Sequence, residues 1–206
     1  MQFHMRAVLV ALCATLLLSV TAATAVALRS LEINPAGNLT RINTGIRLVS
    51  GADRIQFDET LRGTWNSRIP KTIGAVLGRI TSITTANCRV LEPPGFTCTA
   101  TAVGVEANTP VSKTYRGFAG TLPNITSIRI REPAVDYEID FIAVGIRIVC
   151  NYEGSREMTS SGNPITRDTI VESELRLTSR EAMCPRERAR FEGAYSDETR
   201  NAINLV

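Results

Sequence analysis

Apolar and polar residues alternate with a period of two along much of the chain, most clearly between Thr126 and Tyr152. From Val135, one parity holds Val135, Tyr137, Ile139, Phe141 and Ala143, and the other holds Asp136, Glu138 and Asp140. Successive side chains of a strand point to opposite faces, so the pattern predicts a strand with one apolar and one acidic face. Past Gly145 the apolar parity shifts to Ile146, Ile148, Cys150 and Tyr152, which predicts a bulge or bend at that glycine. Upstream, Ile128 and Ile130 alternate with Arg129 and Arg131, and Glu132, Pro133, Ala134 and Val135 form an expected turn. The resulting hairpin sets Arg131 across from Asp136 and Arg129 across from Glu138, with isoleucines meeting Tyr137 and Ile139 on the other face.

The same period recurs on either side. Leu31 and Ile33 open a first strand that Pro35 and Gly37 end, and Ile42, Ile46 and Leu48 oppose Arg41, Asn43 and Arg47 in a second. Ser50 to Asp53 reads as a turn. Ile55, Phe57, Leu61 and Trp65 share a parity whose opposite face is polar, which assigns the single tryptophan to the core. Ile73 to Ile83, Thr97 to Val105 and Val111 to Ala119 suit strands, whereas Asn87 to Cys98 and Glu153 to Pro164 read as loops. Ile165, Thr169, Val171, Leu175 and Leu177 alternate with polar residues. Ala189, Phe191 and Tyr195 recur at even spacing, which favours strand over the short helix that Pro185 and Gly193 would frame, and Ile203, Leu205 and Val206 form a last strand. No sustained 3.6-residue period follows the N-terminal segment, so the expectation is an all-β chain forming a single antiparallel β-sandwich or barrel-like domain.

The N-terminus differs in kind. Arg6 followed by the apolar run Ala7 to Val20, then Ala23-Thr24-Ala25 and Ala25-Val26-Ala27, predicts a signal peptide over residues 1–27, cleaved after Ala25 or Ala27, and a domain over 28–206. An uncleaved membrane anchor is the competing reading, and nothing later is apolar for long enough to span a bilayer as a helix. Cys13 falls within the signal and follows Leu12, against lipidation. That leaves Cys88, Cys98, Cys150 and Cys184, an even set that in an exported chain implies two disulfides, with Cys88–Cys98 and Cys150–Cys184 preferred because the first pair brackets a short Pro-Pro-Gly loop. A zinc site is disfavoured by the absence of C-x-x-C spacing.

Charge and residue usage then narrow the chemistry. Net charge is +3, and because Arg6 is the one charged residue of the signal, the remainder carries +2. Arg186, Arg188 and Arg190 are interleaved with Glu187 and Glu192, a mixed solvated face that argues against nucleic acid as a partner. The only histidine, His4, lies in the signal, so the exported part would lack histidine-based nucleophile activation and acid–base catalysis. Lys71 and Lys113 are the only lysines and neither belongs to a phosphate-cradling motif. Carboxylates remain. Asp136, Glu138 and Asp140 lie roughly 6.5 to 7 Å apart along their strand face, a spacing compatible with an inverting glycosidase pair, although an outer ion-pair ladder with Arg129 and Arg131 accounts for them more simply. Asn38-Leu39-Thr40 and Asn124-Ile125-Thr126 match the glycosylation triplet, which is too short to decide anything. With 5% aromatic residues, most at apolar parities, the chain is poorly equipped to stack sugars.

The run from Gly117 through Phe118, Ala119, Gly120, Thr121, Leu122, Pro123, Asn124, Ile125 and Thr126 to Ser127, with the Cys184-Pro185 pair before Phe191-Glu192-Gly193-Ala194-Tyr195, resembles exported all-β proteins of unknown function from high-GC Gram-positive bacteria. The resemblance implies an extracellular bacterial β protein and brings no catalytic residues. The functional expectation is a secreted or cell-envelope domain that binds an extracellular or envelope partner without catalysis, cofactor or metal. Its alternatives are a carboxylate-based glycoside hydrolase or lyase using Asp136, Glu138 or Asp140, and a structural protein that assembles through sheet edges.

Overall fold

Alternation on this scale builds walls, and here the walls close into a tube. The computed structural model describes residues 30–206 except 104–110, 121–124, 144, 180, 185–187 and 206, with backbone alone at 111, 112, 133, 134 and 205. The predicted signal segment lies outside the described residues, as do Asn124, Pro185 and Arg186. Thirteen strands and no helix occur among the described residues: β1 Ser30–Asn34, β2 Gly37–Ser50, β3 Asp53–Trp65, β4 Arg68–Pro70, β5 Val76–Glu92, β6 Thr97–Val103, β7 Val111–Ala119, β8 Ser127–Ala143, β9 Ile146–Ser161, β10 Arg167–Leu177, β11 Ala189–Glu192, β12 Ala194–Asp197 and β13 Ala202–Leu205.

All of the strand pairs are antiparallel. β2 pairs with β3 and β3 with β5; β5 meets β6 near one end and β7 near the other, and both of these pair with β8. β8 pairs with β9, β9 with β10, and β10 returns to β2 through β11 at one end and β12 at the other. Six long strands and two shared positions therefore make a closed ring of eight, a size whose interior side chains can fill completely. A separate sheet of β13, β1 and β4 covers the β7/β12 end, driving Leu31, Ile33, Ile69 and Ile203 into the barrel. The two disulfides, Cys88–Cys98 and Cys150–Cys184, staple the opposite end, as the cysteine spacing predicted.

The interior has two apolar plugs. Near the stapled end Ile46, Leu48, Phe57, Tyr137, Ile139, Cys150, Leu175 and Phe191 pack together, and near the covered end Leu39, Trp65, Leu77, Ile128, Ile130 and Ile165 join the cap residues. Burying a side chain such as Leu48 or Ile139 stabilises by roughly 1.5 to 3 kcal/mol. Outward faces are polar: β3 turns Arg54, Gln56, Asp58, Thr60, Arg62 and Thr64 outward, unlike the apolar outer band of a membrane barrel. No helix among the described residues is long and apolar enough to cross a membrane.

Several local expectations need correction. Pro133 does not turn the chain: β8 runs through it, with a register shift against β9 between Glu132 and Val135, and the predicted hairpin does not form. β8 and β9 pair as an antiparallel hairpin up to Ala143 and Ile146, with Gly145 at φ 80° before β9, so the parity flip there marks a chain reversal. β5 extends through Cys88 to Glu92, and β9 occupies most of the polar stretch read as a loop after Glu153. In β2 a bulge between Thr44 and Ile46, built on Gly45 at φ 101°, reverses the faces, so Arg41 and Asn43 point inward and Ile42 does not. A second shift between Ile170 and Glu172 leaves Asp168 inside and Val171 49% exposed.

Candidate functional site

The acidic residues singled out by sequence lie on the outer wall. Asp136, Glu138 and Asp140 face away from the barrel, paired across β8 and β9 with Glu153, Asn151 and Val149. Asp140 is held by Arg147, at 2.8 Å from Nε and 2.7 Å from Nη2. Arg129 and Arg131 do not form the expected ladder with them: Arg129 meets Glu157 at 3.2 Å and Arg131 donates to Ser155 Oγ at 3.1 Å. Partial burial, then the neighbouring Glu153, raises the Asp136 carboxyl above its usual range. None of the three carboxylates lines a described hollow. The strip is the partly buried outer side of β8, with Asp140 8% exposed in its ion pair with Arg147.

The dense chemistry is inside, in a belt between the two apolar plugs. Arg156 of β9 is its hub: Nη2 donates to Glu59 Oε1 at 3.0 Å, Nε to Glu132 Oε2, and Nη1 to the hydroxyls of Tyr195 at 2.7 Å and Tyr137 at 3.2 Å. Tyr137 in turn donates to Glu59 Oε1 at 2.9 Å, and Lys113 Nζ donates to Glu132 Oε1 at 2.6 Å. The second half of the belt is Arg41, in ion contact with Asp168 and, at 3.5 Å, with Asp197. The Arg41 guanidinium also lies 5.1 Å over the Trp65 ring, whose Nε1 donates to Asn201 Oδ1 at 2.9 Å. All seven charged side chains are at most 4% exposed.

Electrostatics follow from that enclosure. Burial opposes ionisation of Glu132, but Arg156 and Lys113 outweigh it and hold the carboxyl at about 2. For Arg156 burial is again the largest influence and again loses, since Glu132 and Glu59 keep the guanidinium firmly protonated. Lys113 goes the other way: burial lowers its ammonium despite Glu132. The hydroxyls of Tyr137 and Tyr195 are pushed well up, chiefly by burial. Paired carboxylates, a guanidinium and tyrosines are groups that can transfer protons, and here all of them are buried between the two plugs. No group of three or more metal-binding side chains suited to an ion occurs among the described residues.

Sequence reading missed the belt, although one signal was present. Glu59 occupies the parity of Ile55, Phe57, Leu61 and Trp65, a lone charge on an otherwise apolar face. Arg156 likewise shares the parity of Tyr152 and Met158.

At the stapled end exposed apolar side chains stand among charged ones such as Arg54, Glu92 and Arg147. Leu91, Ile142, Ile146 and Met183 are 43%, 46%, 51% and 61% exposed. Met183 also lines a hollow of about 80 Å³, together with Asp53, Val90, Glu92, Pro93, Phe96, Phe141 and Ile148. That volume is small beside the roughly 300 to 1,000 Å³ of small-molecule sites. Glu92 pairs there with Arg54 at 3.4 Å, both half exposed. Two other concavities lie on the outer wall around β10, one of them containing the exposed pair Arg190–Glu192 and the other Arg176–Glu153. Comparison with protein-family models, with curated proteins and with solved structures returns no match.

Proposed function

We propose that the protein is an exported domain that acts by surface contact with an extracellular or cell-envelope partner, and that the stapled end of the barrel makes the contact. The carrying observation is that four of the eight large apolar side chains exposed among the described residues, Leu91, Ile142, Ile146 and Met183, belong to segments at that end, whereas Ile73, Val76, Val103 and Val171 are dispersed elsewhere. Exposed apolar clusters of this kind mark interaction surfaces more often than isolated exposed residues do. Two disulfides beside the patch support an oxidising compartment and hold its loops against disorder. The resemblance to exported β proteins of high-GC bacteria agrees with this reading.

A glycoside hydrolase or lyase would need its acid and base in a cleft, and Asp136, Glu138 and Asp140 line none of the described hollows, with Asp140 held by Arg147. Assembly through sheet edges loses support from closure of the ten-stranded sheet, which removes most of its edges. The test is fractionation of secreting cells that make the native chain or the double variant Ile146→Glu, Met183→Glu. The native protein is expected to remain with the envelope and the variant to pass into the medium with unchanged thermal stability. Equal partition of both proteins, or carboxylate-dependent hydrolysis of a glycan by the native protein, would overturn the reading.

A further inference from the structure

The belt does not balance. Arg156 and Lys113 face Glu59 and Glu132, two cations against two carboxylates, but Arg41 alone faces both Asp168 and Asp197. Each side chain of that trio is fully shielded from solvent. An unbalanced buried carboxylate is so costly that such groups normally take up a proton.

The two aspartates differ in what holds them. Asp197 Oδ1 accepts from the Thr199 backbone N–H at 2.9 Å, the Thr199 hydroxyl at 2.6 Å and the Arg200 N–H at 3.1 Å, an arrangement that stabilises the anion. Asp168 has no such hydrogen bonds: it has its ion contact with Arg41 and the charge of Lys113 nearby. We propose that Asp168 is a protonated, neutral carboxylic acid in the folded protein at neutral pH, and that holding this proton makes the stability of the barrel fall as pH rises out of the acid range. The groups facing it from the surrounding strands are Arg41 on β2, Lys113 on β7, Ser160 on β9 and Asp197 on β12, with Glu59, Glu132, Arg156 and Tyr195 beyond them in the belt. Burial, the largest influence, and Asp197 raise its carboxyl above the ordinary 3.8, against Arg41, Lys113 and Ser160. The stabilisation is therefore fully present below 3.8 and fades as pH rises through the higher folded-state value.

The experiment is carbon-13 NMR of the aspartate carboxyl carbons in the native protein, assigned with Asp168→Asn and Asp197→Asn, together with urea midpoints of native and Asp168→Asn protein across pH. At neutral pH the Asp168 carbon is expected at the position of a protonated acid. Asp168→Asn mimics the neutral acid without its titration, so its midpoint should match the native one below about 3.8 and exceed it increasingly as pH rises, without the native decline. An ionised Asp168 signal at neutral pH overturns the proposal, whether or not the variant folds. So does a native midpoint that depends on sodium or potassium at fixed ionic strength, because a bound cation would then balance the belt.

Discussion

Replacing Arg156 by methionine keeps much of the volume and removes the hub of the belt. Glu59 and Glu132 would lose their shared cation, and the hydroxyls of Tyr137 and Tyr195 would lose a donor. Removing one partner of a buried ion pair costs about 3 to 5 kcal/mol, because the remaining charge stays buried without compensation. Against a domain stability of roughly 5 to 15 kcal/mol that is a large fraction. Trp65 provides the assay: it is the only tryptophan, 3% exposed, and stacked under Arg41, so its fluorescence reports opening of the barrel in urea. With a slope near ~2 kcal/mol per M, the midpoint should fall by about 2 M. Combining Arg156→Met with Glu59→Gln and Glu132→Gln removes the stranded charges, and that triple variant should unfold later than Arg156→Met alone. If Arg156→Met unfolds with the native midpoint, water reaches the belt and the claim of a sealed charged interior is wrong.

Acid titration of the native fold should show a loss tied to Glu132. Its folded value of about 2 lies below the ordinary 4.5, so the stabilisation it supplies is present above 4.5 and lost as pH falls toward 2, amounting to about 3 kcal/mol; a Glu132→Gln variant whose acid limb matches the native one would contradict this. The staples should be unequal, since Cys150–Cys184 closes 34 residues and Cys88–Cys98 closes 10. Chain entropy then gives ~4 and ~3 kcal/mol for the respective serine double variants, checked by urea melts. Gly154→Ala should destabilise by at least about 1 to 3 kcal/mol, because the added Cβ would sit 2.0 Å from the Glu174 carbonyl oxygen between β9 and β10; a thermal midpoint equal to native would show that these strands can separate freely.

Strands with an apolar lumen side were legible: β3 and the second half of β8 carry a period of two, and both cysteine pairs followed from spacing and compartment. What escaped was the chemistry of the lumen. β9 presents Arg156 and Ser160 inward, so it reads as polar on both faces and passes for a loop. β2 presents Arg41 and Asn43 inward and then changes face at Gly45, so counting parity from Ile46 backward assigns the wrong residues to the core. Pro133 misled for a related reason: a shift in register absorbs it within a continuous strand. Periodicity assumes that inside means apolar, and a barrel with an ionic belt breaks that assumption in the strands that build the belt.

The belt also bears on how one register is chosen among many. Seven of the wall strands contribute one charged group each: Arg41 from β2, Glu59 from β3, Lys113 from β7, Glu132 from β8, Arg156 from β9, Asp168 from β10 and Asp197 from β12. Sliding β9 by one residue against β8 would turn Arg156 outward and put Ser155 or Glu157 in its place, leaving Glu59 and Glu132 buried and unpaired. That penalty of several kcal/mol is comparable with the whole stability of a domain this size. The apolar plugs could tolerate some repacking after such a slip, because one aliphatic side chain can replace another. Ion pairs with fixed geometry cannot, so the charged middle of the barrel sets the alignment that the plugs then fill, and it does so without offering a route from solvent to the charges.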